Sequence, residues 1–197
     1  LSIACNSLDR VQPVEGRSAV VIGAGAIGLT HVILLARGGV GPLIVSDPLD
    51  YRLAIARELG ATHTLNGQRD DVVAAVAELT GGMGADFVFE CAGEPETFAQ
   101  MIELAGPAGR VGVVGIPAED ALAFKHSSAR RKGLDVLMIR RANRTFARAL
   151  ARTIDEELPL GRLGTHHFPL ERTQQAYETA SSYADGVVKA IVNPSGA

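Results

Sequence analysis

The sequence of 197 residues has no tryptophan and only two cysteines, Cys5 and Cys91. Cysteines so far apart predict neither a disulfide framework nor a zinc site, and their scarcity fits a reducing cytoplasm. The chain also lacks an excess of basic residues, because 19 Lys and Arg stand against 22 Asp and Glu, for a formal net charge of -3. This balance argues against general nucleic-acid binding, which requires a strongly basic surface.

Long apolar runs are scarce as well. One stretch without charged side chains, residues 19–36, just reaches the lower length of a membrane span. It contains three glycines at fixed spacing together with Thr30 and His31, so a buried strand that leads into a buried helix explains it better. The first ten residues lack the basic start and apolar run of a signal peptide. We therefore expect a cytoplasmic protein without a membrane partner and, because the chain begins at Leu1, a part of a longer protein.

A regular alternation of short apolar runs and amphipathic segments dominates the sequence. Strands that alternate with helices of about ten residues form parallel βαβ units, and continuous apolar strands indicate helices on both faces of a sheet. The sequence therefore predicts an α/β protein with a Rossmann-type, doubly wound, six-stranded parallel sheet. The predicted strands are 18–22, 43–46, 62–65, 86–89, 111–114 and 134–139, and the predicted helices are 28–37, 49–59, 70–79 and 95–104.

A glycine motif, GxGxxG, joins the first predicted strand to the first predicted helix. Its first glycine, Gly23, permits a tight turn, Gly25 lets the backbone approach a pyrophosphate, and Gly28 allows the helix to pack closely on the strand. The free N–H groups around Ala26 and Ile27 at the helix start would face the anion. The motif predicts a dinucleotide site; the alternative is a glycine turn that only packs the helix on the sheet.

An acidic residue, Asp47, follows the second predicted strand, 19 positions after Gly28. A carboxylate at this place can accept hydrogen bonds from both hydroxyls of an adenosine ribose and would repel a 2′-phosphate, which favours NAD over NADP. Arg52 weakens this preference, because an arginine there could meet a 2′-phosphate. The alternative role of Asp47 is to cap a helix that begins at Pro48, and both roles could hold together.

The remaining strand ends carry small residues. In open α/β sheets ligands bind outside the carboxyl ends of the strands, so Ala92, Gly93 and Gly115 would leave room for a cofactor. Cys91 is interpreted as a small packing residue that lines the cofactor, since no histidine or other base lies beside it in the sequence. The five histidines show no metal-ligand spacing and are interpreted as structural or surface residues.

The pattern changes after Ser128. Between residues 130 and 152 eight basic residues stand against one acid, and three of them, Arg144, Arg148 and Arg152, recur every four residues as one stripe of a helix. A solvated face is the ordinary meaning of such a stripe, and contact with an anionic ligand or an acidic partner is the alternative. The tail after residue 159 predicts a short strand at 167–168, a helix at 170–180 and a last strand at 187–192.

Six short motifs occur in order and together resemble the cofactor-binding half of the medium-chain dehydrogenase/reductase superfamily. The resemblance is greatest to its zinc-dependent alcohol, polyol and threonine dehydrogenase branch, and it extends over essentially the whole chain. The motifs are AVVIGAGAIG at 19–28, VSDP at 45–48, RELGA at 57–61, TGGMGAD at 80–86, FECAG at 89–93 and GRVGVVG at 109–115.

This resemblance implies a division of the chain and of the activity. Residues 1–17 would form a linker helix between domains, residues 18–141 an NAD-binding domain, and residues 142–197 a segment that completes a catalytic domain. The catalytic zinc and its ligands would belong to an N-terminal domain that this chain does not contain. The whole protein would transfer a hydride between a small alcohol or polyol and NAD, whereas this chain is expected to be inactive alone, with no catalytic residue and no metal ligand.

The resemblance also implies individual cofactor contacts. It places pyrophosphate contacts at the glycine motif and ribose contacts at Asp47 and Arg52. It places the nicotinamide near Ile116, Ile139 and Arg141, with Ile3 against the ring, and brings Lys189 to the pyrophosphate. All arguments together give these candidate cofactor-binding residues: Gly23, Gly25, Ala26, Ile27, Gly28, Asp47, Pro48, Arg52, Cys91, Ala92, Gly93, Gly115, Ile116, Ile139, Arg141 and Lys189.

Oligomerisation and three alternative functions complete the expectations. Members of the superfamily pair their sixth strands across a dimer, and the apolar strand at 134–139 would be an association hazard if its edge were unpaired, so a homodimer or tetramer is expected. The alternatives are a zinc-free NADPH quinone reductase, a non-catalytic nucleotide-binding module and an S-adenosylmethionine-dependent methyltransferase. Asp47 argues against the NADPH quinone reductase, and the predicted sixth strand does not favour the methyltransferase.

Overall fold

The computed structural model describes residues 1–121 and 123–194. The chain forms two compact units, the first from Leu1 to Glu157 and the second from Leu158 onward. The first unit contains the helices α1 Ser2–Val11, α2 Ala26–Arg37, α3 Asp50–Glu58, α4 Val72–Leu79, α5 Pro95–Leu104, α6 His126–Lys132 and α7 Phe146–Asp155. Its strands are β1 Ala19–Ile22, β2 Leu43–Asp47, β3 His63–Asn66, β4 Ala85–Glu90, β5 Ala105–Val113 and β6 Asp135–Met138.

The six strands of the first unit form one parallel sheet in the order β3-β2-β1-β4-β5-β6. The chain moves outward from β1 in one direction to β2 and β3, and then returns to the other side of β1 with β4. The carboxyl ends of β1 and β4 therefore flank the point where the winding reverses, which is where such sheets bind ligands. The predicted doubly wound Rossmann-type sheet is confirmed.

Most apolar side chains of the uncharged stretch 19–36 are buried in the protein core. All four residues of β1 and five apolar residues in α2, from Leu29 to Leu35, are buried, because helices cover the strand on both faces of the sheet. On one face Val20, Ile44 and Val88 pack with α5 residues such as Met101 and Ile102. Within the described residues, no helix combines the length and the apolar character that crossing a bilayer requires.

Helix α6, between β5 and β6, was not predicted. None of its side chains is buried, so it shows no apolar periodicity in the sequence. Its last residue instead makes a tertiary contact, because Lys132 Nζ donates hydrogen bonds of 2.8 to 2.9 Å to three carbonyls at the end of α5, those of Ile102, Glu103 and Ala105. The contact joins two elements about 30 residues apart.

Helix α7 carries Arg148 and Arg152 and packs on α1 within the first unit. The prediction that Arg144 belongs to the same helical stripe is wrong, because Arg144 precedes the helix with a left-handed φ of 64°. Thr145 Oγ1 donates to the Ser2 carbonyl over 2.6 Å, and Arg148 pairs with Asp9. Arg152 pairs with Glu156 one turn along the same helix. Two arginines of the stripe therefore bind carboxylates of the protein itself. Residues 142–157 lie in the first unit, whereas the resemblance groups them with the tail; that the tail completes a catalytic domain stays a prediction.

The second unit is a small α/β structure of its own, in keeping with the predicted tail. Its strands β7 His166–Pro169 and β8 Ala190–Asn193 pair in parallel, and the helix α8 Thr173–Ser181 connects them. Short 3-10 turns flank α8. Thr165 Oγ1 accepts a hydrogen bond from the Val188 N–H over 3.0 Å, which holds the starts of the two strands together.

Candidate functional site

The glycine motif forms a tight bend between β1 and α2. Gly23 has a φ of 92° and donates its N–H to the Ser46 carbonyl over 2.7 Å. A Cβ on Gly23 would lie 2.9 Å from Ala92 N, and a Cβ on Gly28 would lie 1.8 Å from the Gly23 oxygen. These two glycines are therefore required by packing. A Cβ on Gly25 would meet only Arg52 Nη1, at 4.0 Å.

The start of α2 offers backbone N–H groups beside this open position. Gly25 is the N-cap residue, and no side chain caps the helix there. The N–H groups of Ala26, Ile27 and Gly28 have no carbonyl one turn earlier in the helix, so they carry the positive end of the helix dipole. The bend thus combines accessible backbone with N–H donors, the arrangement that binds phosphate groups.

Asp47 lies at the end of β2 with only 4% of its surface exposed, and it holds the glycine bend. Its Oδ2 accepts the Ala24 N–H over 2.7 Å, and its Oδ1 accepts the Leu49 N–H over 2.9 Å. Helix α3 begins at Asp50 with Leu49 as its N-cap, so Asp47 forms a local turn ahead of the helix and is not its cap residue. Each carboxylate oxygen retains a second lone pair for a ligand.

Arg52 lies beside Asp47, with 3.9 Å between its Nη1 and Asp47 Oδ2. It is the same Nη1 that faces the open position over Gly25, and the guanidinium also lies 5.8 Å from the centre of the Tyr51 ring. Because this cation is already next to a buried carboxylate, the carboxylate offsets part of its attraction for a further anion.

Sequence reasoning missed Asn66, a buried residue at the end of β3. Its Nδ2 donates to the Pro48 carbonyl over 3.0 Å and to Asp50 Oδ1 over 2.8 Å, so it fixes the loop that follows Asp47. Asp50 also binds both nitrogens of the Arg69 fork, and the hydrogen bonds from Arg69 and then Asn66 lower the pKa of Asp50 to about 2. A polar residue at a strand's carboxyl end is the signal that could have found Asn66.

Cys91, after β4, has a histidine neighbour that the sequence does not reveal. Its Sγ lies 3.8 Å from His31 Nδ1, and the same nitrogen lies 2.9 Å from the Ile27 carbonyl, to which it donates. Burial lowers the pKa of His31 to about 4, so its ring is neutral at pH 7. Burial, and then the charge of Glu90, raises the pKa of the Cys91 thiol well above its usual value. The pair is therefore uncharged and unsuited to nucleophilic chemistry.

Glu90, the last residue of β4, is completely buried and was also missed. Its Oε1 accepts three hydrogen bonds, from the N–H groups of Ala92 (2.9 Å) and Gly93 (2.8 Å) and from the Thr97 hydroxyl (2.8 Å). Its Oε2 is buried and has no hydrogen-bond partner among the described residues. In the sequence it is an acid at the carboxyl end of a predicted strand, the same signal that could have found Asn66.

Gly93 and Gly115 were expected to leave room for a cofactor. The structure shows instead that the close packing of two loops requires them to be glycine. A Cβ on Gly93 would lie 3.0 Å from the backbone of Ile116, and one on Gly115 would lie 2.3 Å from Glu90 Oε2. The loops after β4 and β5 thus pack directly on each other. A cavity of about 480 Å³ lies beside them, bounded by residues that include Phe98, Met101, Val113, Phe124 and Met138.

The remaining predicted contacts lie farther along the same edge of the sheet or in the second unit. Ile116 is 83% exposed, and the half-buried Ile139 donates its N–H to the Val113 carbonyl over 2.9 Å. Arg141 is exposed in a left-handed conformation with a φ of 42°. The buried Asn6 of α1, which sequence reasoning missed, holds this loop because its Nδ2 donates to the Arg141 carbonyl over 3.0 Å. Lys189 belongs to the second unit, and its predicted reach to the pyrophosphate stays a prediction.

Over residues 1–121 and 123–194, no group of three or more His, Cys, Asp or Glu side chains is placed to hold a metal ion. The first unit therefore brings together three features. They are a glycine bend beside the first N–H groups of α2, the buried Asp47 carboxylate bound to that bend, and the two loops after β4 and β5, which pack on each other.

Residues 26–156 match the family model described as zinc-binding dehydrogenase. The chain belongs to the zinc-binding dehydrogenase family. This confirms the resemblance to the medium-chain dehydrogenase/reductase superfamily. The chain is 32% identical over 190 residues to an L-threonine 3-dehydrogenase of Bacillus subtilis, covering 95% of this chain and 54% of that protein. It is 31% identical over 175 residues to one of Chromobacterium violaceum, covering 88% of this chain and 51% of that protein.

Solved structures of this family superimpose closely. An alcohol dehydrogenase zinc-binding domain protein from Burkholderia ambifaria has a TM-score of 0.87 at 32% identity, covering 98% of this chain and 52% of its own. An alcohol dehydrogenase from Escherichia coli complexed with NADH has a TM-score of 0.87 at 26% identity, covering 97% and 56%. A putative zinc-binding dehydrogenase from Sinorhizobium meliloti bound to NADP has a TM-score of 0.90 at 27% identity, covering 98% and 57%. The chain spans about half the length of the curated relatives it matches.

Proposed function

We propose that this chain is the NAD(H)-binding part of a zinc-dependent dehydrogenase that transfers a hydride between a small alcohol or polyol and NAD. The observation that carries the proposal is the 2.7 Å hydrogen bond from Ala24 N to Asp47 Oδ2, which joins the glycine bend to the end of β2. The bond joins a helix start that is suited to a phosphate to a carboxylate that is suited to a ribose, and NAD contains both groups.

The pyrophosphate would bind at Gly25, Ala26, Ile27 and Gly28. The open backbone at Gly25 admits the phosphate oxygens, and the N–H groups of the first turn of α2 donate to them. A glycine turn used only for packing explains Gly23 and Gly28 but not Gly25, whose missing side chain leaves open space.

The adenosine ribose would bind at Asp47, with Pro48 and Arg52 beside it. A 2′-phosphate brought within 4 Å of the Asp47 carboxylate would be repelled by about 4 kcal/mol at an effective dielectric of 20. Arg52 offsets part of this repulsion, but it lies 3.9 Å from the same carboxylate. The balance of these charges favours NAD, and structural relatives bound to NADH and to NADP both exist.

The nicotinamide would lie over the ends of β4, β5 and β6. The proposed contacts there are Cys91, Ala92, Gly93, Gly115, Ile116, Ile139 and Arg141. These residues would orient the nicotinamide ring, and the chemistry that NAD would supply when bound is acceptance of a hydride. The zinc ligands and the substrate pocket are assigned to a part of the protein outside this chain, so the isolated chain would bind cofactor without turning over an alcohol.

The proposal extends to assembly and location. Two copies would join through the free edge of β6, and a dimer or tetramer in the cytoplasm is expected. The free thiols of Cys5 and Cys91 suit a reducing compartment.

Isothermal titration of the chain with NADH, NADPH and S-adenosylmethionine tests the cofactor assignment. We expect saturable binding of NADH, binding of NADPH that is at least about tenfold weaker, and no binding of S-adenosylmethionine. Tighter binding of NADPH than of NADH would favour the alternative function, a zinc-free quinone reductase. Binding of S-adenosylmethionine alone, or of none of the three, would overturn the dehydrogenase assignment.

A further inference from the structure

We propose that Glu90 is a positioning residue that sets the two loops facing the nicotinamide half of the cofactor, an inference that rests on the proposed function. Its side chain holds the loop after β4, and its main chain holds the loop after β5. It does so on the side of β1 opposite to β2, the strand whose end carries Asp47.

The first loop is held by one carboxylate oxygen. Glu90 Oε1 accepts the N–H groups of Ala92 and Gly93 at 2.9 and 2.8 Å, which turns the backbone of residues 91–93 around the side chain. The Thr97 hydroxyl donates to the same oxygen over 2.8 Å and ties the first turn of α5 to this turn. A charged acceptor strengthens each of these bonds relative to a neutral one.

The second loop is held by the main chain of the same residue. The Glu90 carbonyl accepts the N–H groups of Val114 (2.8 Å) and Gly115 (2.9 Å). Gly115 also packs against the carboxylate, since a Cβ there would lie 2.3 Å from Oε2 and 2.4 Å from Gly93 N. A shift of the Glu90 side chain would therefore move both loops together.

The arrangement is a poor one for stability alone. Oε2 is buried and has no hydrogen-bond partner among the described residues, and an unsatisfied buried oxygen destabilises a fold. Buried groups held in such costly arrangements concentrate at functional sites, where position is more important than stability. Here the atoms being positioned are the backbone of Cys91, Ala92, Gly93, Gly115 and Ile116, the proposed nicotinamide contacts.

The test compares two ligands in one variant. Glu90→Gln keeps the shape and one acceptor but removes the charge, whereas NADH and ADP share the adenosine diphosphate that Gly25 and Asp47 would bind. We expect the dissociation constant of NADH to rise about tenfold in this variant, and that of ADP to change less than about twofold. Enhancement of the fluorescence of bound NADH, which reports the surroundings of the nicotinamide ring, should fall as well.

Asp86→Asn is the matched control. Asp86 lies on the same strand β4 near its opposite end, and its carboxylate likewise accepts hydrogen bonds from a backbone N–H and a hydroxyl, those of Ser18 N (2.9 Å) and Ser18 Oγ (2.6 Å), at a partly buried position. We expect this variant to lower the melting temperature and to leave the ratio of the two dissociation constants unchanged.

Two results would overturn the inference while leaving the proposed function intact. One is an equal loss of NADH and ADP binding in Glu90→Gln, which indicates a purely structural role. The other is no change in either. If Glu90→Gln does not fold, Glu90→Asp, which keeps the charge but shortens the reach, must show the same selective loss. Failure of the unsubstituted chain to bind either nucleotide would instead remove the proposed function, and this inference with it.

Discussion

Asp47 and Ala24 are joined by a 2.7 Å hydrogen bond between residues that are 23 positions apart and lie on adjacent strand ends. Through this bond the carboxylate that would recognise the ribose also supports the bend that would recognise the pyrophosphate. The two halves of the proposed adenosine site are therefore coupled, and a change in one is expected to affect the other.

Removing the charge of Asp47 tests this coupling. We expect Asp47→Asn to weaken NADH binding by about 1–3 kcal/mol, because the charge that strengthens the hydrogen bonds at the ribose and at Ala24 is removed and only one acceptor oxygen remains. The affinity of this variant for NADPH should fall less than its affinity for NADH, because the carboxylate no longer repels the 2′-phosphate. Calorimetric titration of both cofactors measures the change, and Asp71→Asn serves as the control, because Asp71 is exposed and accepts a backbone N–H at the start of α4. Unchanged NADH affinity would remove Asp47 from the site.

Substitutions at two glycines of the bend should have different effects, one on the stability of the fold and the other on NADH binding. In Gly28→Ala the new Cβ would lie 1.8 Å from the Gly23 oxygen, so we expect a loss of about 3 kcal/mol or more in the free energy of unfolding. In Gly25→Ala the methyl group enters open space at an ordinary φ of -70°, so stability should change by less than about 1 kcal/mol while NADH binding is lost. Urea denaturation and NADH titration of both variants provide the comparison. A stable Gly25→Ala that binds NADH normally would contradict the pyrophosphate assignment.

His31 should make stability depend on pH. Its pKa is lowered by burial from 6.5 to about 4 in the folded chain, so between these values the unfolded chain binds a proton that the folded chain does not. Stability should therefore fall as the pH is lowered from about 6.5 to 4, by about 3 kcal/mol in total. Urea denaturation from pH 7.5 to 4.5 measures this, and His31→Leu should have the shallower slope. An identical slope in both proteins would show that other groups cause the acid sensitivity.

The edge of β6 should carry the proposed self-association. Met138 is 66% exposed at the end of that strand, so Met138→Lys should leave the fold intact but place a charge on the edge and disfavour pairing of two copies. Sedimentation velocity should then show a shift from dimer or tetramer to monomer. Met83→Lys, at a methionine that is 63% exposed in the loop before β4, should not change the assembly. If the unsubstituted chain is a monomer, the proposed interface at the edge of β6 is contradicted.

Much of the first unit could be predicted because its signals are local. The run at 19–22, the glycine spacing and Asp47 lie within 30 residues, and the strand-turn-helix they form requires little from the rest of the chain. All six strands of the sheet were predicted for this reason. Helix α6 was missed because nothing in it is buried, and apolar periodicity is the signal on which helix prediction depends.

The sequence by itself therefore determined the parallel sheet, the bend that opens α2 and the acid that follows β2, since apolar alternation and glycine spacing act over a few neighbouring residues. Only the tertiary structure decided the surroundings of that site. It placed His31 beside Cys91 across 60 positions, Asn6 on the Arg141 carbonyl across 135, and Glu90 between two loops. These contacts depend on how strands pair and helices pack, and that pairing brings together residues whose separation along the chain carries no periodic signal.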